Sequence, residues 1–348
     1  MGPSVTGAGP ATTGRPRPAR LRLGARRTNL GLLIGLVAAL VTGGLAFAAG
    51  TGWGRPVVVA HGLAGLAVLV RAPWKSVIVR RGLSRRSGAG RWTSVAFGVL
   101  VLAAVAAGLA HATGALAHLG PVSAMQVHVG AALAALPLLA WHAAARGGAR
   151  PRRTDLSRRA VLRAGVVAGG AGLLWLAVES ATRLAALPGA SRRFTGSLPV
   201  TGQAGGGATP APVDAARIPV TQWLDDRVQV LDPAAWRLRV AAGATTREWT
   251  YAELEGIGDQ VEAVLDCTGG WFAPATWEGV RLDRLLPPGA AGALLLATRL
   301  AGRPLSAGHG FPARLVAPGR RGFWWVKWVV SVELDPAPWW RQPPFPLT

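Results

Sequence analysis

The chain has 348 residues, 50% of them hydrophobic and only 16% charged, yet its formal net charge is +22. Such an apolar composition excludes a disordered chain, which buries too little apolar surface to fold. The single cysteine excludes a disulfide framework and any zinc or iron–sulfur site built on several cysteines.

Residues 1–28 are rich in Pro, Gly and Arg and read as a disordered basic tail. Five apolar runs follow, at Leu30–Ala49, Val57–Val70, Ser94–Ala110, Val122–Trp141 and Val161–Val178. A membrane-crossing helix needs about 20 apolar residues, which the first, third, fourth and fifth runs supply. The second is short and is expected to continue through Trp74 to Val79, with Pro73 as a kink and Lys75 snorkelling toward the interface. The expected fold class opens with this α-helical membrane bundle. Four spans occupy 29–145, and a fifth lies in 146–180. With further spans following, the first run does not read as a cleaved signal peptide.

The positive charge follows this division. Residues 1–160 carry 20 Lys and Arg against one acid, Asp155, whereas residues 161–348 carry 18 against 15. Six arginines precede the first span, and only Arg55 lies in the next connection. Arg71 to Arg91 make the second connection basic, His111–Pro121 has no Lys or Arg, and six arginines follow the fourth span. The positive-inside rule then puts the amino terminus in the cytoplasm and everything after Glu179 outside a bacterial plasma membrane, with lipid around the bundle. Most of the +22 is therefore a topology signal, and nucleic acid is not an expected partner. Ser157-Arg158-Arg159-Ala160-Val161-Leu162-Arg163 resembles the twin-arginine export motif, with Val161 where Phe is usual. The resemblance implies the twin-arginine export machinery, which carries folded domains.

Five of the six histidines fall in the amino-terminal half, at 61, 111, 118, 128 and 142. His61 lies about one turn inside the outer end of its span and His128 about two turns inside its own, so their depths match. Two imidazoles at matched depth are what a b-type haem takes as axial ligands, and ionisable side chains inside spans point to function. The alternative is packing histidines in a plain anchor. His142 follows His128 on roughly the same face, but Lys75 stands where a second haem would need another histidine. His111 and His118 read as loop residues suited to a quinone or quinol site. Gly62, Gly65, Gly130 and Ala131 give room for close helix approach or for a macrocycle.

Residues 181–217 read as a flexible linker and 218–348 as a folded α+β domain. Arg237–Ala241 and Gln260–Leu265 alternate like strands, and Thr250 caps a helical turn at Tyr251–Leu254. Arg314–Ala317 and Trp325–Val332 are expected as strands joined by a turn at Pro318–Gly322. Cys267 closes a strand and opens Thr268-Gly269-Gly270. A soft thiolate beside glycines suits a metal ligand, and a buried inert thiol is the bland reading.

Three blocks decide between them. They are Val264-Leu265-Asp266-Cys267, then Trp277-Glu278-Gly279-Val280-Arg281-Leu282 with Leu285-Leu286, then Gly308-His309-Gly310-Phe311-Pro312-Ala313-Arg314 running on to Trp325-Val326-Lys327-Trp328. Over about 250–346 the chain resembles the sulfite oxidase-type molybdopterin oxidoreductases. The resemblance implies a molybdenum–molybdopterin cofactor, with the Cys267 thiolate as direct metal ligand at the catalytic centre. It implies that His309, Arg314 and Lys327 hold the pterin and its phosphate. The bottom-up reading agrees, because a dianionic phosphate wants fixed cations and arginine supplies a planar fork.

Sulfite oxidases follow the cysteine with paired arginines that bind the anionic substrate, whereas Thr-Gly-Gly-Trp-Phe stands here. Trp271 and Trp277, four and ten residues after Cys267, give a spacing similar to the catalytic subunit of periplasmic methionine-sulfoxide reductase. Trp271, Phe272 and Trp277 are expected to line an apolar pocket for a small-molecule substrate. The resulting expectation is a membrane-anchored oxidoreductase acting on a sulfoxide or N-oxide outside the cell, with His61 and His128 holding haem b. Oxidation of a sulfite-type anion, or a non-enzymatic electron-transfer or assembly protein, are the rival readings.

Overall fold

The computed structural model describes residues 25–48, 50, 52–83, 89–145, 157–201, 211–222 and 227–334. The tail expected at 1–24, Arg85 and Arg86, the arginines within 146–156, and Trp339 and Trp340 lie outside these residues.

Five long helices form the amino-terminal half: α1 (Ala25–Ala48), α2 (Gly54–Leu83), α3 (Ala89–Thr113), α4 (Ala124–Ala145) and α5 (Arg158–Leu184). All five are long and apolar enough to cross a membrane. They run a turn or so past the apolar runs, so α1 already takes in residues 25–28 of the expected tail. The second run does continue, and α2 carries Pro73 inside it. A lipid-facing segment must satisfy its own backbone hydrogen bonds, and the helix does so within one segment. Ile34, Leu133 and Leu173 are each more than half exposed on the helix flanks. Such an apolar surface is a liability in water and a solvated one in hydrocarbon. The main packed pairs are α1 with α2, α3 with α4, and α2 with α5. Between α3 and α4, β1 (His118–Leu119) and β2 (Val122–Ser123) form a minimal hairpin.

The remainder folds around two sheets. In order come β3 (Leu198–Pro199), β4 (Arg237–Ala242), β5 (Thr245–Thr250), α6 (Tyr251–Glu255), β6 (Asp259–Asp266), β7 (Trp271–Arg281), β8 (Leu295–Leu300), β9 (Arg303–Pro304), β10 (Arg314–Val316) and β11 (Ser331–Glu333). The short α6 begins as the sequence indicates. Thr250 accepts from Glu253 N–H while the Glu253 carboxylate accepts from Thr250 N–H, a capping box. The larger sheet is built on β7, which pairs antiparallel with β6 and β8 and, at its start, parallel with β3; β10 and β9 add to β8. The smaller sheet is β11-β4-β5. One core cluster gathers Trp277, Leu295, Leu300, Val316 and Trp325; a second gathers Leu238, Leu254, Val280 and Leu296.

Two expectations are corrected. The linker drawn over 181–217 is in large part structure. Leu198 and Pro199 pair with Trp271 and Phe272, and Val213 enters the main core beside Ile218. The segment is held by its polar side chains, Thr195 and Ser197, rather than by an apolar run that periodicity detects. Within it, 202–210 lie outside the described residues. The strand expected at Trp325–Val332 is reduced to β11, because Trp328 takes φ 53° and breaks the extended run. On either side of that break the segment touches β10 and its flank only intermittently, with Leu315 N–H donating to Val326 O and Val329 N–H to Ala313 O.

Candidate functional site: the Cys267 loop and the histidines of the bundle

Cys267 lies in the tight turn between β6 and β7, almost buried. Its N–H donates to Trp271 O and Gly270 N–H donates back to Cys267 O, which closes the turn. Gly270 sits at φ +91°, a conformation that glycine alone adopts without strain. The sulfur accepts from Gly269 N–H at 3.3 Å and lies 3.6 Å from the Thr221 hydroxyl.

The preceding residue, Asp266, anchors a buried network. Oδ1 accepts from Arg321 Nη1 at 2.6 Å and from Ser197 at 2.6 Å; Oδ2 accepts from Thr195 at 2.7 Å and Arg193 Nε at 3.1 Å. A buried carboxylate is tolerated only with such pairing. Burial pulls the Arg321 guanidinium below the usual arginine range, while Asp266 and Cys267 oppose that shift. The turn carrying Arg321 presses close, since a Cβ on Gly322 would stand 3.1 Å from Cys267 Cα.

Arg314, at the start of β10, is buried against Trp277 and Trp325, its guanidinium carbon 5.4 and 5.8 Å from their ring centres. Nη1 donates to His309 O at 3.2 Å, and buried Nε has no partner. Desolvation lowers its pKa to about 10, with Cys267 pulling the other way, so the group stays cationic at neutral pH. A buried cation with no carboxylate beside it is costly, and an anionic ligand removes that cost. This fits the phosphate and electron-rich dithiolene of a molybdopterin. His309 is fully engaged, Nδ1 with the Ser306 hydroxyl at 2.8 Å and Nε2 with Ile218 O at 3.0 Å. Its pKa is pushed down by burial first, with Arg314 and Lys327 adding to the fall against the Ile218 hydrogen bond. Lys327 Nζ donates to Thr221 O and Gly308 O, both at 2.7 Å. The structure therefore gathers Cys267, Arg314 and, through Thr221, Lys327. His309 orients the loop through its own protein partners. Among the described residues no three His, Cys, Asp or Glu side chains form a metal cluster. Cys267 is thus a lone candidate sulfur ligand rather than part of a protein metal cluster, and further ligands would come from the dithiolene.

The expected substrate pocket is only partly assembled. Trp271 stays half-buried, and its indole nitrogen and the Cys267 sulfur converge beside Gly269. Phe272 is buried beneath Arg193, whose guanidinium carbon lies 5.5 Å from its ring centre. Trp277 is completely buried and packs edge-to-face on Trp325, ring centres 5.4 Å apart. Trp277 is a core residue under Arg314 rather than a pocket wall. It points inward because β7 is covered on both faces, a fact that spacing from Cys267 does not carry.

In the bundle His61 and His128 do meet. Their rings stand at 84° with centres 5.6 Å apart. Each Nδ1 is bonded to a backbone carbonyl of the neighbouring helix, Ala39 O at 2.8 Å and Ala104 O at 2.7 Å. That arrangement fixes each ring as the Nδ1–H tautomer. Gly62 serves helix packing, since any side chain there would overlap Trp175 of α5, while Gly65, one turn from His61, has open space beside it. His142 lies against Phe97 instead, ring centres 5.6 Å apart. His111 is not a loop residue: it belongs to α3, is buried, and its Nε2 is 3.1 Å from Gly196 O. His118 is an exposed hairpin residue.

Sequence reasoning missed Asp266, Arg321, Arg193, Thr195 and Ser197 as a unit. The only signals were the carboxylate next to the cysteine and the Arg320-Arg321 pair, and neither names the other.

Residues 288–341 match the family model described as "Oxidoreductase molybdopterin binding domain". The match includes His309, Arg314 and Lys327. Within the carboxy-terminal part, this segment is thus similar to a molybdopterin-binding oxidoreductase domain, in line with the sulfite oxidase-type resemblance of its motifs. In the chain that segment follows five helices long and apolar enough to cross a membrane. Among solved structures, the chain is similar to the sulfane dehydrogenase SoxCD from Paracoccus pantotrophus. The identity is 22% and the TM-score 0.28, over 31% of this chain and 40% of that one. The chain therefore spans less than half of the SoxCD chain. No curated protein matches it.

Proposed function

We propose that this protein is a membrane-anchored molybdenum oxidoreductase that reduces a small sulfoxide or N-oxide outside the cell. A b-type haem held by His61 and His128 would supply the one-electron link between a membrane quinol and the outer domain. The observation that carries the reading is Arg314, a buried cation with an unpartnered Nε beside Cys267. The cofactor, when bound, supplies exchange of one oxygen atom and two electrons with the substrate. The protein's part is to hold and to screen. Cys267 Sγ would ligate the metal, with the Gly269 N–H steadying its negative charge. Arg314 and Lys327 face the anionic cofactor, His309 fixes their loop, and Trp271 walls the approach to the sulfur. The reaction balances: a quinol yields two electrons and two protons, and the sulfoxide takes both and leaves as sulfide and water.

The domain sits at the end of the bundle where α1 finishes and α2 begins, opposite the amino terminus. With an amino terminus in the cytoplasm, that end is extracytoplasmic, and Ser157–Arg163 then suits twin-arginine export. A second reading, oxidation of a sulfite-type anion, draws support from Arg321 and Arg193, which bring guanidinium groups near Cys267 from elsewhere in the chain.

Metal analysis of the detergent-purified chain tests the proposal. Stoichiometric molybdenum that is lost in Cys267→Ser is expected, together with a b-type band that disappears in His61→Ala. A wild-type protein without molybdenum, or Cys267→Ser with unchanged molybdenum and activity, overturns the enzyme mechanism. A wild type with no b-type band overturns the haem route. A screen with reduced dye against sulfoxides, N-oxides and sulfite decides the substrate class.

A further inference from the structure

Among the described residues, the bundle and the cofactor domain meet closely around the backbone of the Cys267 loop. Three contacts converge there. His111, at the end of α3, lies flat against Gly270: a Cβ on that glycine would stand 2.6 Å from His111 Cε1, 3.0 Å from its Nε2 and 3.2 Å from Met125 Cβ of α4. Gly50, in the connection between α1 and α2, meets the opposite side. A Cβ there would come within 2.7 Å of Gly319 O and 2.6 Å of Arg321 N, so main chain lies on main chain. Phe47 of α1 stacks on Phe323 with ring centres 5.4 Å apart and planes within 3°. His111 Nε2 is also bonded to Gly196 O, within the segment whose Thr195 and Ser197 hold Asp266. Arg192, next in that segment, donates to Ala112 O of α3 and pairs with Glu179 of α5.

The same helix leads inward. Gly108 lies three residues before His111 on α3, about one turn deeper. The His128 imidazole rests on it, since a Cβ on Gly108 would stand 2.8 Å from His128 Nδ1. His128 in turn faces His61. His61, His128, Gly108, His111, Gly270 and Cys267 are thus joined by successive close contacts and by one turn of the α3 backbone. Electron transfer falls off steeply with every gap, and packed atoms carry it better than open space.

From this geometry we infer that the docked face is a fixed electron-transfer junction, with His111 as the positioning residue that couples the bundle's histidine pair to the Cys267 loop. The inference rests on the haem and molybdenum of the proposed function. Electrons cross one at a time, two for each quinol oxidised, with the quinol's two protons released on the membrane side and two taken up with the substrate's oxygen.

The test uses the full chain in detergent, reduced by a soluble naphthoquinol and freeze-quenched. The haem band reports arrival of electrons in the bundle, and the molybdenum EPR signal reports arrival at Cys267. In His111→Ala the haem band is expected to form at the wild-type rate while the molybdenum signal slows at least tenfold. Dithionite, which reaches both centres directly, restores the full signal, an outcome that a merely misfolded site does not give. Gly50→Leu, which wedges the dock apart without touching a histidine, is expected to behave the same way. Wild-type rates of the molybdenum signal in both variants overturn the junction while leaving the proposed function standing. A wild type lacking the haem band overturns both.

Discussion

Arg321 Nη1 donates to Asp266 Oδ1 across 2.6 Å, and both side chains are buried directly against the backbone of Cys267. The pair locks the 319–323 turn to the end of β6 and so sets where the sulfur stands. Deleting one partner of a buried pair strands the other charge, at a cost of about 3–5 kcal/mol. Arg193 still reaches Asp266, which puts Arg321→Met at the low end of that range. Asp266→Asn introduced with Arg321→Met is expected to cost less than the two single losses added. Thermal unfolding followed by tryptophan fluorescence across the double-mutant cycle measures the coupling.

Arg314→Met separates folding from cofactor binding. The guanidinium has no carboxylate partner, and its Nε is unsatisfied. Replacing it with an apolar side chain of similar length is expected to leave the cofactor-free chain as stable as wild type or more so. The charge-assisted hydrogen bonds it offers an anion are worth about 1.5–3 kcal/mol each. Molybdenum and pterin content per chain should fall roughly 10- to 100-fold, read by elemental analysis and by pterin fluorescence after oxidation.

Gly279 marks the bulge where the β7–β8 register shifts. A Cβ there would overlap Leu296 O, which belongs to the main chain of β8 and cannot swing away. Gly279→Ala is therefore expected to cost about 3 kcal/mol, the upper end of ordinary overpacking. Loss of hydrogen-exchange protection along Leu295–Leu300 is the measurement.

His309 gives the domain an acid-side weakness. Burial lowers its folded pKa below the unfolded value of 6.5. As pH falls, the unfolded chain takes up the proton before the folded one does, and folding loses ground. The contribution is fully present above about pH 6.5 and is lost as pH drops from there through the folded value. Unfolding midpoints of wild type and His309→Gln, compared between about pH 8 and about pH 5, should differ in slope only below that point. An unchanged slope in the variant counts against a neutral buried His309.

The bundle was legible because a membrane helix must be both long and apolar, and both properties are written consecutively in the chain. Thr250 and Glu253 are another local case, since a capping box needs only four residues. The matched depth of His61 and His128 could also be counted along two helices, given that α2 and α4 run in the same direction from the same end of the bundle. Their 84° approach could not, nor could the carbonyls of Ala39 and Ala104 that fix them, because α1 and α3 supply those.

The linker and the pocket were illegible for a common reason. Thr195 and Ser197 are small polar residues with no periodic signature, and their value comes from Asp266, about 70 positions later. Trp277 carries the same letter whether it lines a cavity or fills a core, and only the strands on either side of β7 decide that it fills one.

By itself, then, the sequence determined the number and approximate extent of the long apolar helices, the α+β character of the rest, and the motif residues Cys267, His309, Arg314 and Lys327. All of these depend on residue type and short spacing. Only the tertiary structure decided that His111 rests on Gly270, that Arg321 neutralises Asp266, and that the end of the bundle where α1 finishes is seated on the cysteine loop. Each of those is a contact between segments far apart in the chain, made by packing and charge pairing that no local pattern encodes.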